Sequence, residues 1–299
     1  MDPFDSSAPF RHHIRYMLNY AQALFLGLAQ GVSELFPISS LGHSVLIPAL
    51  LHWQVDQTND GFLLFLVATH LATALVLAGF YWKEWMRILQ AMWRSFVQRR
   101  IDAQDHLARL GWALVLGTVP AGLLGLLFED ALKKTLGAPR IVAFALLVNG
   151  LMLFFADRLQ RGGKKRSSDR SADSTVVVSW WQAFVIGCWQ CLALLPGFSR
   201  TGATMTGGLS TDLTYDDAAH VSFLLATPII LAASVLKLPE LLTPDSASFV
   251  GPILVGAVCA ACAAWVSVRF LTKYFQTKTL RPFAYYCLIV GIVCSVLLR

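Results

Sequence analysis

The sequence predicts an all-α integral membrane protein built as an inverted repeat, each half a re-entrant helical hairpin followed by three transmembrane helices. Three observations predict it. Of the 299 residues, 56% are hydrophobic and only 14% charged, where a soluble domain carries about 25% charged residues; the mean hydropathy is +0.58. Apolar runs of about 20 residues, the length of a bilayer crossing, recur along the chain. Finally, the two halves share residues at a nearly constant offset. The net charge of +6 is clustered in a few loops, and no basic face interleaved with aromatics points to nucleic acid.

Met1–Met17 is polar, with Arg11, His12, His13 and Arg15. It reads as a solvated tail rather than a cleaved leader, because the apolar run behind it holds Gln22 and Gln30 and leads straight into Glu34. Tyr20–Leu51 is apolar but broken by Pro37 and Gly42, and carries polar residues at its middle. Broken backbone at membrane depth is tolerated only where it is buried in protein or lines a wet cavity, so this stretch predicts a re-entrant hairpin. Phe62–Trp82, Gly111–Phe128 and Ile141–Asp157 then read as spans and complete a first repeat over 18–159. The basic, Ser-rich stretch 160–175 (QRGGKKRSSDRSADST) reads as a flexible cytoplasmic linker.

The second repeat, 176–299, opens with Trp180–Leu209, again interrupted by Pro and Gly, and continues with spans Ala218–Leu236, Phe249–Leu271 and Pro282–Leu298. Gln22, Ala23, Gly27 and Gln30 match Gln182, Ala183, Gly187 and Gln190 at an offset of 160, and Pro37 aligns with Pro196 at 159. Phe65, Leu66, Ala68 and Thr69 match Phe223, Leu224, Ala226 and Thr227 at 158. Three spans is an odd number, so the second half must lie upside down relative to the first, and two broken helices meet near the midplane. Lys and Arg set the orientation. Six lie in Lys83–Arg109, six in Arg158–Arg170 and four in Arg269–Arg281, against none in 48–61 and one in 237–248. The rich loops are expected in the cytoplasm, and both termini outside. Six cysteines (188, 191, 259, 262, 287, 294) sit in apolar segments and read as small packing residues rather than metal or redox pairs. The Trp residues, for example Trp82, Trp85, Trp180 and Trp181, read as interfacial anchors.

Two motifs carry chemistry. Gln30–His43 (QGVSELFPISSLGH) puts a carboxylate, two hydroxyls and an imidazole in an apolar neighbourhood, where ionisable groups are costly and mark function. Pro196–Thr204 (PGFSRTGAT) holds Arg200, the lone charge of a long apolar stretch. It needs an anion, either Glu34 or a ligand, and its planar fork suits phosphate oxygens. Gly197, with the hydroxyls of Ser199, Thr201 and Thr204, makes an anion cradle, joined from the first motif by Ser39 and Gln30. A bare structural Glu34–Arg200 pair is the alternative. With phosphoryl transfer, Arg200 stabilises charge, and the nucleophile is Ser40, His43 or a water. His43 serves as acid or base, and Glu34 orients it or holds a divalent cation. Thr69 and His70 border the cavity or merely pack. Asp212, Asp216 and Asp217 read as an acidic helix N-terminus.

These motifs resemble those of the undecaprenyl-diphosphate phosphatases associated with bacitracin resistance, which carry EGLTEFLPVSSTGH and PGFSRSGAT. The resemblance runs from about Ala21 to the end, through LGTVPAGLLGLLFEDALK (Leu116–Lys133), SFLLATP (Ser222–Pro228) and RPFAYY (Arg281–Tyr286). It implies a bacterial inner-membrane enzyme that hydrolyses undecaprenyl diphosphate to undecaprenyl phosphate and inorganic phosphate. It further implies a divalent cation (Mg2+ or Ca2+), recycling of a lipid carrier for cell-wall synthesis, and a site open to the periplasm. Its implied functional positions are Glu34, Ser39, Ser40, His43, Ser199, Arg200 and Thr204. Gln30 stands where that family usually has a first glutamate, and Leu41 where it has a threonine. Partners are the polyprenyl diphosphate and the bilayer, with no nucleic acid; an oligomer is compatible with this reading. A flippase for a polyprenyl phosphate or another anion, which shares the inverted-repeat plan, and a paralogue acting on another lipid diphosphate are the rivals.

Overall fold

A computed structural model describes residues 18–128, 138–162, 176–241 and 250–298. Of the expected tail and linker, 1–17 and 163–175 lie outside the described residues. The described residues form helices joined by short turns, with no strand among them. In chain order these are α1 (Tyr20–Ser33), α2 (Ser40–Leu50), α3 (Asp60–Phe80), α4 (Trp82–Val97), α5 (His106–Leu127) and α6 (Pro139–Gly162). After the linker come α7 (Trp180–Gln190), a 3₁₀ turn (Cys191–Leu194), α8 (Arg200–Ser210), α9 (Tyr215–Leu241), α10 (Val250–Tyr274) and α11 (Arg281–Leu297). Five of them, α3, α5, α6, α9 and α10, are long and apolar enough to cross a membrane. The sixth expected span is the apolar α11, 17 residues long.

Both broken stretches fold as helix–break–helix, and local chemistry explains where each piece starts. Asn19 caps α1 and Ser179 caps α7. Each accepts from the amide of a Gln three residues on, whose side chain accepts from the cap amide in return, so two orphan donors are satisfied at once. The inner helices start on serines: Ser39 Oγ accepts from Gly42 N at 3.1 Å, and Ser199 Oγ from Gly202 N at 3.1 Å.

Helix α1 lies along α10, and α7 along α5. Both contacts close at glycine, because a Cβ on Gly27 would run into the Gly256 carbonyl, and one on Gly187 would lie 2.6 Å from the Gly117 carbonyl. Small residues let membrane helices approach this closely. Helix α3 packs on α9 and α10, and α6 on α11. The interior is filled by Phe65, Leu146, Leu153 and Phe223, whereas Val119, Leu123, Leu254, Val258, Ile289 and Val293 point outward, as lipid-facing residues must.

One element departs from the sequence reading. The basic stretch Lys83–Arg109, expected as a loop, contains helix α4. The helix of the first span ends at Phe80 rather than at Trp82, because Tyr81 turns the chain out of α3 and into α4. The buried Ile88, Ala91 and Ser95 recur at helical spacing and pack α4 on α5.

Candidate active site

Glu34 ends α1 and Arg200 begins α8, so the two breaks bring their charges together. Arg200 Nη2 donates to Glu34 Oε1 at 3.1 Å, with both side chains largely buried. Arg200 Nη1 reaches the Ser222 carbonyl at 3.2 Å, while its Nε is buried without a partner. The second carboxylate oxygen, Oε2, accepts from Gln30 Nε2 at 3.0 Å and from Ser40 Oγ at 2.6 Å, and stands 3.3 Å from His70 Nε2. A buried ion pair is stable only when its remaining lone pairs and protons are also met. Around the carboxylate they are met; on the guanidinium the buried Nε–H has no partner.

Most hydroxyls expected to cradle phosphate instead stitch backbone across the breaks. Ser39 Oγ accepts from Gly42 N and from Gly197 N at 3.2 Å. Thr201 Oγ1 donates to the Glu34 carbonyl at 3.0 Å. Thr204 Oγ1 donates to the Arg200 carbonyl at 2.8 Å and shares a bond with Ser222 Oγ at 2.6 Å. Gly197 has φ +106°, and a Cβ there would meet Ala145 Cβ at 2.6 Å, so its role is the turn. Of the hydroxyls in the second motif, Ser199 lines the cavity described below.

Asn149 of α6, which the sequence reading did not single out, joins the same network. Its Nδ2 donates to the Pro37 carbonyl at 3.1 Å, and its Oδ1 accepts from Ser199 N at 3.0 Å. A fully buried Asn in a membrane span is the signal that would have found it. Asn149→Leu keeps the volume but strands both backbone groups. It is expected to destabilise the fold by about 3 kcal/mol, read as a lower thermal midpoint in detergent.

Of the two histidines, His70 borders the cavity, one of the two places expected for it, while His43 does not. The His43 Nδ1–H donates to the Ser39 carbonyl at 2.6 Å, and Nε2 meets the Tyr286 hydroxyl at 2.7 Å, the two rings stacking at 5.7 Å. Both nitrogens are thus committed, and His43 is not part of the cavity wall. It braces Ser39, whose φ of +69° is unusual for a residue with a side chain. His70 of α3 is in the wall. Its Nδ1–H donates to the Leu66 carbonyl at 2.7 Å, which turns Nε2 toward Ser40 Oγ at 3.5 Å and toward Glu34.

These groups form one end of a cavity of ≈510 Å³. Glu34, Ser40, His70, Gln190, Ser199 and Arg200 supply its polar wall. Leu41, Leu63, Val67, Ile229, Ile230 and Ala233 supply the apolar one, with Asp60 and Lys237 also in the lining. The residues present do not fit a protein cage for a divalent cation. Among the described residues no three or more His, Cys, Asp or Glu side chains come together. Both oxygens of the Glu34 carboxylate already face donors.

The family model described as "Bacitracin resistance protein BacA" matches residues 23–293. A protein of Mycolicibacterium paratuberculosis named Undecaprenyl-diphosphatase is 43% identical over 293 residues, covering 92% of this chain and 95% of its own. An Undecaprenyl-diphosphatase 2 of Frankia alni is 39% identical, covering 93% and 98%. An Undecaprenyl-diphosphatase 1 of Burkholderia pseudomallei is 43% identical, covering 91% and 94%.

Proposed function

The chain belongs to the bacitracin resistance protein BacA family, and from that premise we propose that it is an undecaprenyl-diphosphatase of the bacterial membrane. It hydrolyses undecaprenyl diphosphate to undecaprenyl phosphate and inorganic phosphate. One observation carries the reading: Arg200, Ser40 and the Glu34–His70 pair line a single cavity whose other wall is apolar. The anionic head meets the guanidinium and the prenyl chain lies along α3 and α9.

The roles follow from the geometry. Arg200, whose side chain lines the cavity, binds the diphosphate and stabilises the charge that grows on the terminal phosphoryl oxygens. Ser40 Oγ attacks the terminal phosphorus. As the new O–P bond forms, the bond from phosphorus to the bridging oxygen breaks, and undecaprenyl phosphate leaves with that electron pair. The Ser40 proton passes to the Glu34–His70 pair, 2.6 and 3.5 Å away. A water then attacks the phosphoserine, releasing phosphate and returning a proton to Ser40 Oγ. A divalent cation of the kind the resemblance implies would take part of its ligand set from the diphosphate oxygens, as Mg2+ does at phosphate sites.

Two further features belong to this reading. The cavity lining includes Asp60, at the start of α3, and Lys237, both from the Lys/Arg-poor side. This supports a site open to the periplasm. The inverted repeat is supported by packing that exchanges under a two-fold: α1 on α10 with α7 on α5, and α3 on α10 with α9 on α5. The paired capping boxes and paired serine caps fit the same operation, as do the domain limits 18–159 and 176–299 expected from sequence.

The direct test is phosphate release from undecaprenyl diphosphate by the purified full chain. Lipid movement across vesicles without phosphate release would replace the phosphatase reading with the flippase one. His70→Asn is expected to lower kcat about a hundredfold with little change in KM, and steady-state kinetics would check this.

A further inference from the structure

Helix α4 plays no part in the cavity, yet its surface is strongly divided. At about 100° per residue its side chains fall into three arcs. One arc, with Ile88, Ala91, Met92 and Ser95, is held by α5, where Ser95 Oγ accepts from Trp112 Nε1 at 2.9 Å; Arg94, on the polar arc, pairs with Asp105 just before α5 at 2.7 Å. The next arc is large, apolar and exposed, formed by Trp82, Met86, Leu89, Trp93, Phe96 and Val97, with Trp93 68% and Phe96 65% accessible. The third is polar, and includes the exposed Lys83, Arg87 and Gln90.

The helix is fastened to the protein, so its outward stripe is a fixed surface. It starts two residues after α3 ends, where a crossing helix leaves the hydrocarbon, and at the end of α3 opposite Asp60. Beyond its C-terminus, Arg99 and Arg100 share a hollow of ≈580 Å³ with the aromatic rings of Phe96 and Trp112. Arg100 also touches Asp102 at 3.0 Å, a pair open to solvent and correspondingly weak.

We propose that α4 is an in-plane anchor that binds anionic phospholipid headgroups: its apolar stripe lies among the acyl chains while Lys83, Arg87, Arg99 and Arg100 take the phosphates. The charge favours a lipid over a second copy of the chain, because two such basic faces would repel across a two-fold interface. An apolar arc beside a basic arc is the pattern of a helix lying in a membrane interface. An anionic leaflet adds attraction for each basic side chain near its surface. The site is separate from the phosphatase cavity, so the proposal stands or falls independently of the catalytic reading.

The test is native mass spectrometry of the purified full chain titrated with phosphatidylglycerol or with phosphatidylcholine. The expected result is retention of phosphatidylglycerol about tenfold tighter than phosphatidylcholine. That preference should be lost in Lys83→Gln/Arg87→Gln/Arg99→Gln/Arg100→Gln, with phosphate release in phosphatidylcholine micelles unchanged. Equal retention of the two lipids by the unaltered protein overturns the proposal whether or not the variant folds. So does displacement of phosphatidylglycerol by millimolar inorganic phosphate, which marks a bare anion site. A dimer that becomes monomeric on Leu89→Ser/Trp93→Ser assigns the stripe to a second copy and overturns it as well.

Discussion

Replacing Arg200 by alanine is expected to lower kcat/KM for phosphate release about a thousandfold. The guanidinium does two things at once. It lines the polar part of the cavity, where the proposed reaction needs a cation for the diphosphate, and it holds Glu34 Oε1 at 3.1 Å. Removing it leaves the buried carboxylate with His70 alone beside it and without its permanent cation, which costs about 3 kcal/mol, so the thermal midpoint should fall together with activity. The two effects separate in Glu34→Gln/Arg200→Ala, where the stranded charge is gone. Stability should then largely return, which isolates the cost of the stranded charge; the rate is read in Arg200→Ala itself, because Glu34 belongs to the proposed proton path. Arg200→Lys keeps the charge but not the fork, and is expected to recover only part of the rate. Release within tenfold of the unaltered protein in Arg200→Ala would remove the guanidinium from the chemistry.

Ser40→Ala is expected to reduce kcat by about 10⁴-fold or more, the scale seen when a nucleophile is deleted from a preorganised site. Stability should barely change, because Glu34 Oε2 keeps Gln30 and His70 when the hydroxyl is gone. Rapid acid quenching of the unaltered protein with substrate labelled in its terminal phosphate should trap label on Ser40. An active Ser40→Ala with no trapped label in the parent protein would transfer the attack to water. Activity lost with no label trapped would make Ser40 a positioning group.

The spans and breaks were legible because they rest on coarse physics: about 20 apolar residues cross a bilayer, and Pro37 and Pro196 both fall in the breaks, whereas Gly42, also expected to interrupt, lies inside α2, and Pro48 and Pro120 lie within helices. The Glu34–Arg200 meeting was legible for a similar reason, since a lone guanidinium in an apolar stretch must find an anion. Helix α4 was not, because reading 83–109 for its charges hid the spacing of Ile88, Ala91 and Ser95. Nor were the separate places of His43 and His70. Both lie in apolar segments, and no spacing says that one ring turns to Tyr286 while the other turns to Ser40. The cradle was over-read for a related reason. Each break frees backbone N–H and C=O groups that need partners, and Ser39 and Thr201 were already claimed by them, while Thr204 bonds back along its own helix and to Ser222.

Ser39 Oγ takes a proton donor from each half of the molecule, Gly42 from the first and Gly197 from the second. A nascent polypeptide that has inserted only its first hundred and fifty or so residues therefore carries a serine and a carboxylate but no competent centre. On the proposed mechanism, hydrolysis would wait until the later half threads in and supplies Arg200 to the carboxylate of the earlier one.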